Sequence, residues 1–460
     1  MTQPPGQARA QLQRAVRAVG HGLFVAAVAL LALIAFGAAL ELATSLNGVW
    51  ERFPAPLGVT GLTIVGGVVG VSALGFVGVR RLPLTWAMTL AIATLVVTRV
   101  GALFLVEPSL LRDQAAYDQL ARGVLAGECC FGVRAMGYPI LLAVPYALGL
   151  SGKLVGFTFA FAAAPLLYLL GRELAGRRAG AMAIYLYAAA PSLVLFSGVL
   201  MTETTYATVL LAALVPVVMA RSAMSGAAGG LLLGLTQYVR ATSVLLAPAI
   251  LLPMFMRGNS RRAGLWLAGL LVALLPVFVA TGGISTSTVG GLSVMMGTNQ
   301  EYNGRYNNDD VALYGSWGDD RERLAMQEAI RRIAADPAGF AALVVRKSHI
   351  MWTEEYYGVV FAMTDAGVPE RYRAPARVVS QAAYVLLLAG ATIAAWRARR
   401  SPSDVVLVIL GIFVSVAVIH GLAEVQHRFH AYVVPLFAVL AAAALVPRSE
   451  TDSTTETTDR

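Results

Sequence analysis

The 460-residue chain is 57% hydrophobic and only 13% charged, whereas soluble globular proteins carry about 25% charged residues. Apolar runs of about 18 or more residues recur along it, and each predicts a transmembrane helix. A soluble globular protein is therefore excluded. The net charge of +9 comes almost wholly from arginines, which stand in short groups between apolar runs. That pattern is typical of cytoplasmic loops and lacks the clustered basic face that nucleic-acid binding requires.

The order of apolar runs and arginine groups predicts an all-α, polytopic protein of the cell membrane, with about twelve spans and both termini in the cytoplasm. The spans are placed at about 22–42, 57–79, 84–106, 153–171, 179–198, a return ending at Arg221, two limbs within 227–256, then 263–281, 378–396, 404–421 and a last span ending near Val446. Residues 137–150 are too short to span and predict an interfacial helix.

The predicted organisation has five parts. They are a cytoplasmic N-terminus with an added transmembrane hairpin (1–82), a transmembrane core (83–281) whose first outer loop is 107–136, an extracytoplasmic loop subdomain (282–377), C-terminal transmembrane helices (378–446) and a disordered cytoplasmic tail (447–460). The loop subdomain predicts a helix from Arg321 to Trp352 that is broken by Pro337. The adjacent Cys129 and Cys130 are interpreted as structural or incidental, with a strained vicinal disulfide as the alternative.

One apolar run, 227–256, has arginines before and after it and Arg240 near its middle. A single span would bury that charge at the bilayer centre, which costs about 2.5–3.5 kcal/mol on insertion scales. A tight hairpin with Arg240 at its outer apex avoids this cost and keeps both flanks cytoplasmic. The hairpin is therefore the prediction.

Under this topology a set of polar residues from separate stretches falls on the outer face. They are Asp113, Asp118, Arg134, Glu203, Arg240, His427, Arg428 and His430. A carboxylate can take the proton from an acceptor hydroxyl, and arginine can hold a departing phosphate with bidentate bonds. Stabilisation of the leaving group is often the largest catalytic contribution. The set favours an enzyme that transfers a group from a lipid phosphate.

The motifs between about residues 95 and 440 resemble those of the GT-C glycosyltransferases, specifically the group around the protein O-mannosyltransferases and the lipid A aminoarabinose transferase. The first outer loop carries Asp113, Tyr117 and Ala121, and then Arg134-Ala135-Met136-Gly137-Tyr138-Pro139 in place of an Arg/Lys-Pro-Pro-Gly-Tyr-Pro-like turn. The later motifs are Pro191-Ser192-Leu193 ahead of Thr202-Glu203, Arg240-Ala241-Thr242 for Arg-Pro-Thr, and His427-Arg428-Phe429-His430 with Pro435 for Arg-Tyr-Arg-hydrophobic-Pro.

The resemblance implies a GT-C-like core that uses a polyprenyl-phosphate-linked sugar as donor and a lipid, glycan or protein acceptor outside the cytoplasm. It implies that Asp113 is the general base and that Glu203 positions the acceptor or a cation, with inversion at the anomeric carbon. The implied donor-phosphate ligands are Arg134, Arg240 and Arg428, and the substrate contacts are Tyr117, Tyr138, His427 and His430. No cofactor is required, no metal ligand is predicted, and a divalent metal is optional.

Six of the candidate residues also have a structural interpretation, which the sequence leaves open. These interpretations are N-capping of the next helix for Asp113 and Glu203, a helical ion pair between Asp118 and Arg122, headgroup anchoring for Arg240, and interfacial hydrogen bonding for His427 and His430.

Two other functions are alternatives. A transporter or flippase for a lipid-linked saccharide would place charges along a path through the bilayer, whereas here the predicted topology gathers them at one face. A non-catalytic assembly subunit of the cell envelope would tolerate the loss of Asp113.

Overall fold

The structure is a computed structural model that describes residues 5–52, 57–107, 109–128, 134–220, 222–281, 283 and 285–446, without the side chains of 5–12, 45–52 and 57–62. These residues form helices joined by turns, and no β-strand occurs among them. The all-α prediction is confirmed. The cysteine pair and the tail 447–460 lie outside the described residues.

Twenty α-helices are described. They are α1 Pro5–Arg52, α2 Leu57–Arg81, α3 Leu84–Leu105, α4 Arg112–Leu125, α5 Gly137–Ala147, α6 Lys153–Ala175, α7 Arg177–Ala189, α8 Pro191–Phe196, α9 Thr202–Met219, α10 Ala223–Thr236, α11 Ala247–Met256, α12 Ser260–Thr281, α13 Gly290–Gly297, α14 Asn308–Ser316, α15 Arg321–Ala335, α16 Pro337–Trp352, α17 Tyr357–Val359, α18 Glu370–Arg397, α19 Asp404–Leu422 and α20 Val434–Leu445. Short 3-10 helices cover Ser243–Leu246 and Gly318–Asp320, and a π-helical turn covers Val360–Thr364.

Within the described part of the chain, eight helices are long and apolar enough to cross a membrane. They are α1, α2, α3, α6, α9, α12, α18 and α19. The shorter apolar helices are Gly137–Ala147, Ala223–Thr236, Ser243–Met256 and Val434–Leu445. The polytopic architecture is thereby confirmed, while the number of spans and the cytoplasmic side of the termini stay predictions.

The predicted span 179–198 is not one continuous helix. It divides into α7 and α8 at Ala190, which has extended backbone angles (φ −78°, ψ 107°). The residue before a proline is driven out of the helical region by the proline ring, and here Pro191 follows. The break directs the chain towards the turn that precedes α9.

The predicted hairpin within 227–256 is present as two helices joined by a turn that holds Arg240. Its limbs do not pack mainly on each other, which differs from the tight hairpin of the prediction. Limb α10 lies against α9 and α12, while limb α11 lies against α19 and α1. The separation of the limbs leaves space beneath the turn.

The N-terminal helices pack on the rest of the helical bundle, and their assignment as an added hairpin stays a prediction. Helix α1 packs along α18 and also contacts α11, α16 and α19. In the C-terminal half of α1, the backbone oxygen of Ala38 accepts a hydrogen bond from Nε2 of the buried Gln381 on α18 (3.1 Å). Helix α2 packs on α3, α7 and α18.

The predicted loop subdomain has helices of its own, and its long helix breaks at Pro337 as expected. The carboxylate of Asp336 caps α16 by accepting from the backbone N–H of Gly339 (2.8 Å). A small apolar cluster joins α13, α14 and α15. Lys347 fastens the subdomain to the core, since its ammonium donates to the carbonyls of Gly297 and Gly421 (both 2.8 Å). Burial lowers the pKa of Lys347 to about 7.

The crossing of α10 and α12 depends on glycine. A Cβ at Gly269 would overlap the backbone of Ala227, and one at Gly230 would overlap the backbone of Trp266. Small residues at a helix crossing let two backbones approach closely. The approach brings α10, and with it the Arg240 turn, to its place beside α9.

We expect Gly269→Leu to lower the free energy of unfolding by about 1–3 kcal/mol or more, the usual cost of overpacking. Gly264→Leu on the same helix is the matched control, because a Cβ there meets nothing within 4 Å. Thermal unfolding in detergent measures both variants. Equal melting temperatures for the two would contradict this account of the crossing.

Candidate active site

Helix α4 presents Asp113 from its first turn, immediately after a strained segment. Leu110 and Arg112 have φ of 49° and 53°, values that non-glycine residues adopt rarely. The N-cap position is Leu111, which makes no side-chain cap. Asp113 therefore does not cap the helix, and its carboxylate is directed to other partners.

A buried glutamine fixes the position of α4. Gln114 is fully buried and donates from Nε2 to the carbonyl of Phe361 (3.2 Å), while its Oε1 accepts from the backbone N–H of Leu200 (3.2 Å). The helix is thus tied to the π-helical turn and to the turn before α9. On another face of α4, the carboxylate of Asp118 accepts from Arg122 (2.8 Å) and from the hydroxyl of Tyr146 (2.7 Å). The structural interpretation of Asp118 is confirmed.

The carboxylate of Asp113 is held between two guanidinium groups from distant parts of the chain. Nη2 of Arg134, just before α5, lies 2.5 Å from Oδ1. Nη2 of Arg428, in the turn after α19, pairs with Oδ2. Burial by itself raises the pKa of the Asp113 carboxyl, but Arg428 and Arg134 outweigh burial and hold that pKa below its ordinary value of 3.8. Asp113 is therefore ionised at neutral pH.

Arg428 connects this pair to a second carboxylate. Its side chain is buried, its Nη1 lies 3.5 Å from Oε1 of Glu203, and its Nε donates to Gln426 (2.9 Å). Burial tends to lower the pKa of Arg428, but the charges of Asp113 and Glu203 raise it overall. The carboxylate of Glu203 is only 2% exposed and accepts no hydrogen bond from the described residues. The capping interpretation of Glu203 is therefore wrong.

Arg240 lies in the turn between α10 and the following 3-10 helix, surrounded by aromatic rings. Its guanidinium carbon is 4.9 Å from the ring centre of Tyr432, 5.0 Å from that of Phe429 and 5.8 Å from that of Tyr206. One buried guanidinium nitrogen, Nη1, has no hydrogen-bond partner in the described structure. Cation–π contacts hold the group in place.

Arg134, Arg240 and Tyr117 together form the polar end of a cavity of about 850 Å³. The rest of its wall is mainly apolar and comes from α1, α11 and α19, with serines and Met326 of the loop subdomain near the rim. A cavity with an apolar body and a few convergent polar groups is the usual form of a ligand site. This one is shaped for a molecule with an anionic head and an apolar tail.

The two predicted histidines pair with glutamates that the sequence analysis did not select. Nε2 of His430 lies 2.5 Å from Oε2 of Glu355, and Nδ1 of His427 lies 2.8 Å from Oε2 of Glu354. Nε2 of His427 lies 2.7 Å from a guanidinium nitrogen of Arg305 in the loop subdomain.

Two predicted substrate contacts are not available in this structure. Tyr138 and His430 are both fully buried, Tyr138 with its ring edge against Tyr117 (5.1 Å) and His430 beside Trp352 (5.6 Å). Their place is behind the residues that line the site. Tyr117 differs, because it lines the cavity and lies under the guanidinium of Arg134 (5.2 Å).

The missed glutamates stand in the segment Trp352-Thr353-Glu354-Glu355-Tyr356-Tyr357, at the end of α16. Two adjacent carboxylates among aromatic residues of the predicted loop subdomain were the available signal. Arg305 lies in a polar loop that offered no such signal. Among the described residues, no group of three or more His, Cys, Asp or Glu side chains is arranged to hold a metal ion.

No protein-family model and no curated protein matches the chain. The chain is similar to solved structures of the apo oligosaccharyltransferase of Archaeoglobus fulgidus, of AglB from the same organism with an inhibitory peptide and a dolichol-phosphate, and of ArnT from Cupriavidus metallidurans bound to undecaprenyl phosphate. The identities are 17%, 18% and 15%, and the TM-scores are 0.47, 0.47 and 0.36.

The similar regions cover 79%, 77% and 78% of this chain and 50%, 50% and 76% of the three solved chains. The chain therefore spans about half the length of the archaeal enzyme. Another structure of that enzyme is a complex with Zn and sulfate.

We expect Glu355→Ala to destabilise the protein by about 1–3 kcal/mol, because it leaves the fully buried His430 without its partner. Glu355→Gln keeps a hydrogen-bonding group at the same place and should lose less. Thermal unfolding of both variants is the measurement. A larger loss for the glutamine variant would contradict the role given to the pair.

Proposed function

We propose that the protein is an integral membrane glycosyltransferase that moves a sugar from a polyprenyl-phosphate donor to an acceptor outside the cytoplasm. The observation that carries the proposal is the ionised carboxylate of Asp113, which shares Arg134 with the polar end of a long apolar cavity. A carboxylate, a phosphate-binding arginine and a lipid-shaped cavity are the three parts that this transfer needs. The acceptor is a lipid, glycan or protein of the cell envelope.

The donor lies with its lipid chain in the cavity and its phosphate between Arg134 and Arg240. Arginine is suited to this position because its planar donors match phosphate oxygens and its charge is permanent. Arg134 and Arg240 both line the cavity. The segments that carry the two arginines are joined by a hydrogen bond from the backbone N–H of Gly137 to the carbonyl of Tyr238 (2.7 Å), so the proposal places one phosphate group against both.

The ion pairs of Asp113 have a consequence for its role as base. A carboxylate that is paired with two guanidiniums is a weak proton acceptor, as its lowered pKa indicates. An arriving phosphate competes for Arg134, and Asp113 then loses part of its stabilisation. The proton affinity of Asp113 therefore rises when the donor is bound. In the empty site Asp113 does not deprotonate an acceptor hydroxyl.

In the reaction, Asp113 takes the proton of the acceptor hydroxyl. The acceptor oxygen bonds to the anomeric carbon while the bond from that carbon to the phosphate oxygen breaks. Polyprenyl phosphate leaves with the electron pair, and Arg134 and Arg240 stabilise its charge. Attack opposite the leaving phosphate inverts the anomeric centre. The reaction needs no cofactor, and a divalent cation is optional.

Arg428 and the residues behind it position the base. Arg428 orients the carboxylate of Asp113 through their ion pair. Glu203 lies near the guanidinium of Arg428 and balances its charge. The pairs of His427 with Glu354 and of His430 with Glu355 hold the turn that carries Arg428. We therefore assign positioning to His430 and propose substrate contact for Tyr117, which lines the cavity, and for His427.

We expect Asp113→Asn to abolish transfer from polyprenyl-phosphate donors while donor binding is retained, since the amide cannot accept the proton. Asp118→Asn on the same helix is the matched control, because its ion pair with Arg122 is structural. Transfer of radiolabelled sugar by equal amounts of each membrane-reconstituted variant is the measurement. Undiminished transfer by Asp113→Asn excludes this mechanism, and donor binding without transfer by the wild type favours a carrier or scaffold.

We expect Arg240→Gln to weaken donor binding by about tenfold or more, which corresponds to ~1.4 kcal/mol or more and is in the range of one charge-assisted hydrogen bond. The exposed Arg122→Gln should leave the dissociation constant unchanged. Binding of polyprenyl phosphate to the purified protein gives both values. If Arg240 only anchors its turn to headgroups, affinity for the donor will not change.

A further inference from the structure

We propose that α1 limits the length of the lipid chain that the donor site accepts. The inference rests on the proposed function, and it concerns a helix that the sequence analysis placed outside the catalytic core. Four α1 residues, Gly20, Leu23, Phe24 and Ala27, line the same cavity as Arg134. The apolar wall of the donor site is therefore completed by the N-terminal helix.

The cavity runs along α19, and we name its two ends from that helix. The head end is the end next to the arginines, and the deep end is the opposite one. Leu422 lines it next to the turn that holds Arg428, and Leu407 lines it at the far end. These residues are fifteen positions apart on one helix, a rise of about 22 Å at ~1.5 Å per residue. Most of the thickness of a bilayer core, about 30 Å, is therefore available to a chain that begins at the arginines.

Helix α1 faces only the deep part of this cavity. In the N-terminal part of α1, Nε of Arg17 donates to the carbonyl of Met256 (3.3 Å). Met256 is the last residue of α11, at the end of that helix far from the Arg240 turn. Its lining residues extend from Gly20 to Ala27, a rise of about 10 Å. Further along α1, the carbonyl of Ala38 accepts a hydrogen bond from Gln381.

The head of the cavity is walled by other elements. Tyr117 and Arg134 come from the first outer loop, and Ser293 and Met326 come from the loop subdomain. The phosphate and the first isoprene units of a donor therefore do not meet α1. Only the distal units of a long chain reach the four α1 residues. A substitution at these residues should therefore change the affinity for long donors and not for short ones.

Leu23 is the position at which this idea is tested most cleanly. Its side chain is 47% exposed, so a larger residue can be placed there without displacing the packed core. Leu33, on the same helix, is 69% exposed and does not line the cavity. Leu23→Trp and Leu33→Trp are therefore the same chemical change on one helix, inside and outside the site, and Leu23→Phe gives an intermediate obstruction.

The experiment measures dissociation constants of the purified, full-length protein for undecaprenyl phosphate, with eleven isoprene units, and farnesyl phosphate, with three. We expect Leu23→Trp to weaken undecaprenyl phosphate binding by about tenfold, Leu23→Phe to weaken it less, and Leu33→Trp to have no effect. Farnesyl phosphate should bind all four proteins equally. Thermal unfolding confirms that each variant is folded.

Three results would overturn the inference. The first is an equal change in the dissociation constants of undecaprenyl phosphate and farnesyl phosphate. The second is that neither Leu23 variant changes the dissociation constant of either ligand. The third is failure of the wild type to bind undecaprenyl phosphate. Phosphatidic acid is the third ligand, and a response to Leu23→Trp equal to that of undecaprenyl phosphate would show that an acyl lipid is the occupant. Sugar transfer is scored separately: length-selective binding without transfer removes the proposed function and leaves the role of α1 intact.

Discussion

The ion pairs of Asp113 with Arg134 and Arg428 are the interaction on which the site depends. They join the start of α4, the turn before α5 and the turn after α19, and Arg428 is 315 residues from Asp113. In a partly buried setting such charges attract more strongly than in water, and removal of one partner would leave an uncompensated charge. The three segments are thus held together by residues to which the proposed mechanism assigns the chemistry.

The turn that carries Arg428 is supported from behind by two histidine–glutamate pairs. His430 with Glu355 is fully enclosed, while His427 with Glu354 extends outward to Arg305 of the loop subdomain. A charged group that must hold one geometry in a low-dielectric setting needs such fixed partners. The loop subdomain is therefore connected to the turn that carries Arg428, and Arg428 pairs with Asp113.

The sequence was sufficient to predict the helices and the convergence of the main charges. Apolar runs and arginine groups located the spans, Pro337 located the break in the loop helix, and Asp113 and Arg134 were selected from the first outer loop. Glu354 and Glu355 stand next to each other among aromatic residues, which was the only signal, and the sequence does not indicate which carboxylates of a long polar loop will be buried. The packing of α1 on α18 could not be derived either, since an apolar helix looks the same whether its neighbours are lipid or protein.

The position of Arg134 imposes an order on the proposed reaction. Its guanidinium pairs with Asp113 and also lines the head of the cavity, so the carboxylate and the donor phosphate draw on the same donors. While the cavity is empty, Asp113 is held as a weak base by two positive charges. When a phosphate arrives, the charge of Arg134 is shared, and the proton affinity of Asp113 rises next to the sugar that is to be transferred. The donor must therefore bind before the acceptor hydroxyl is deprotonated, and an acceptor that enters an empty site meets a base that is not yet active.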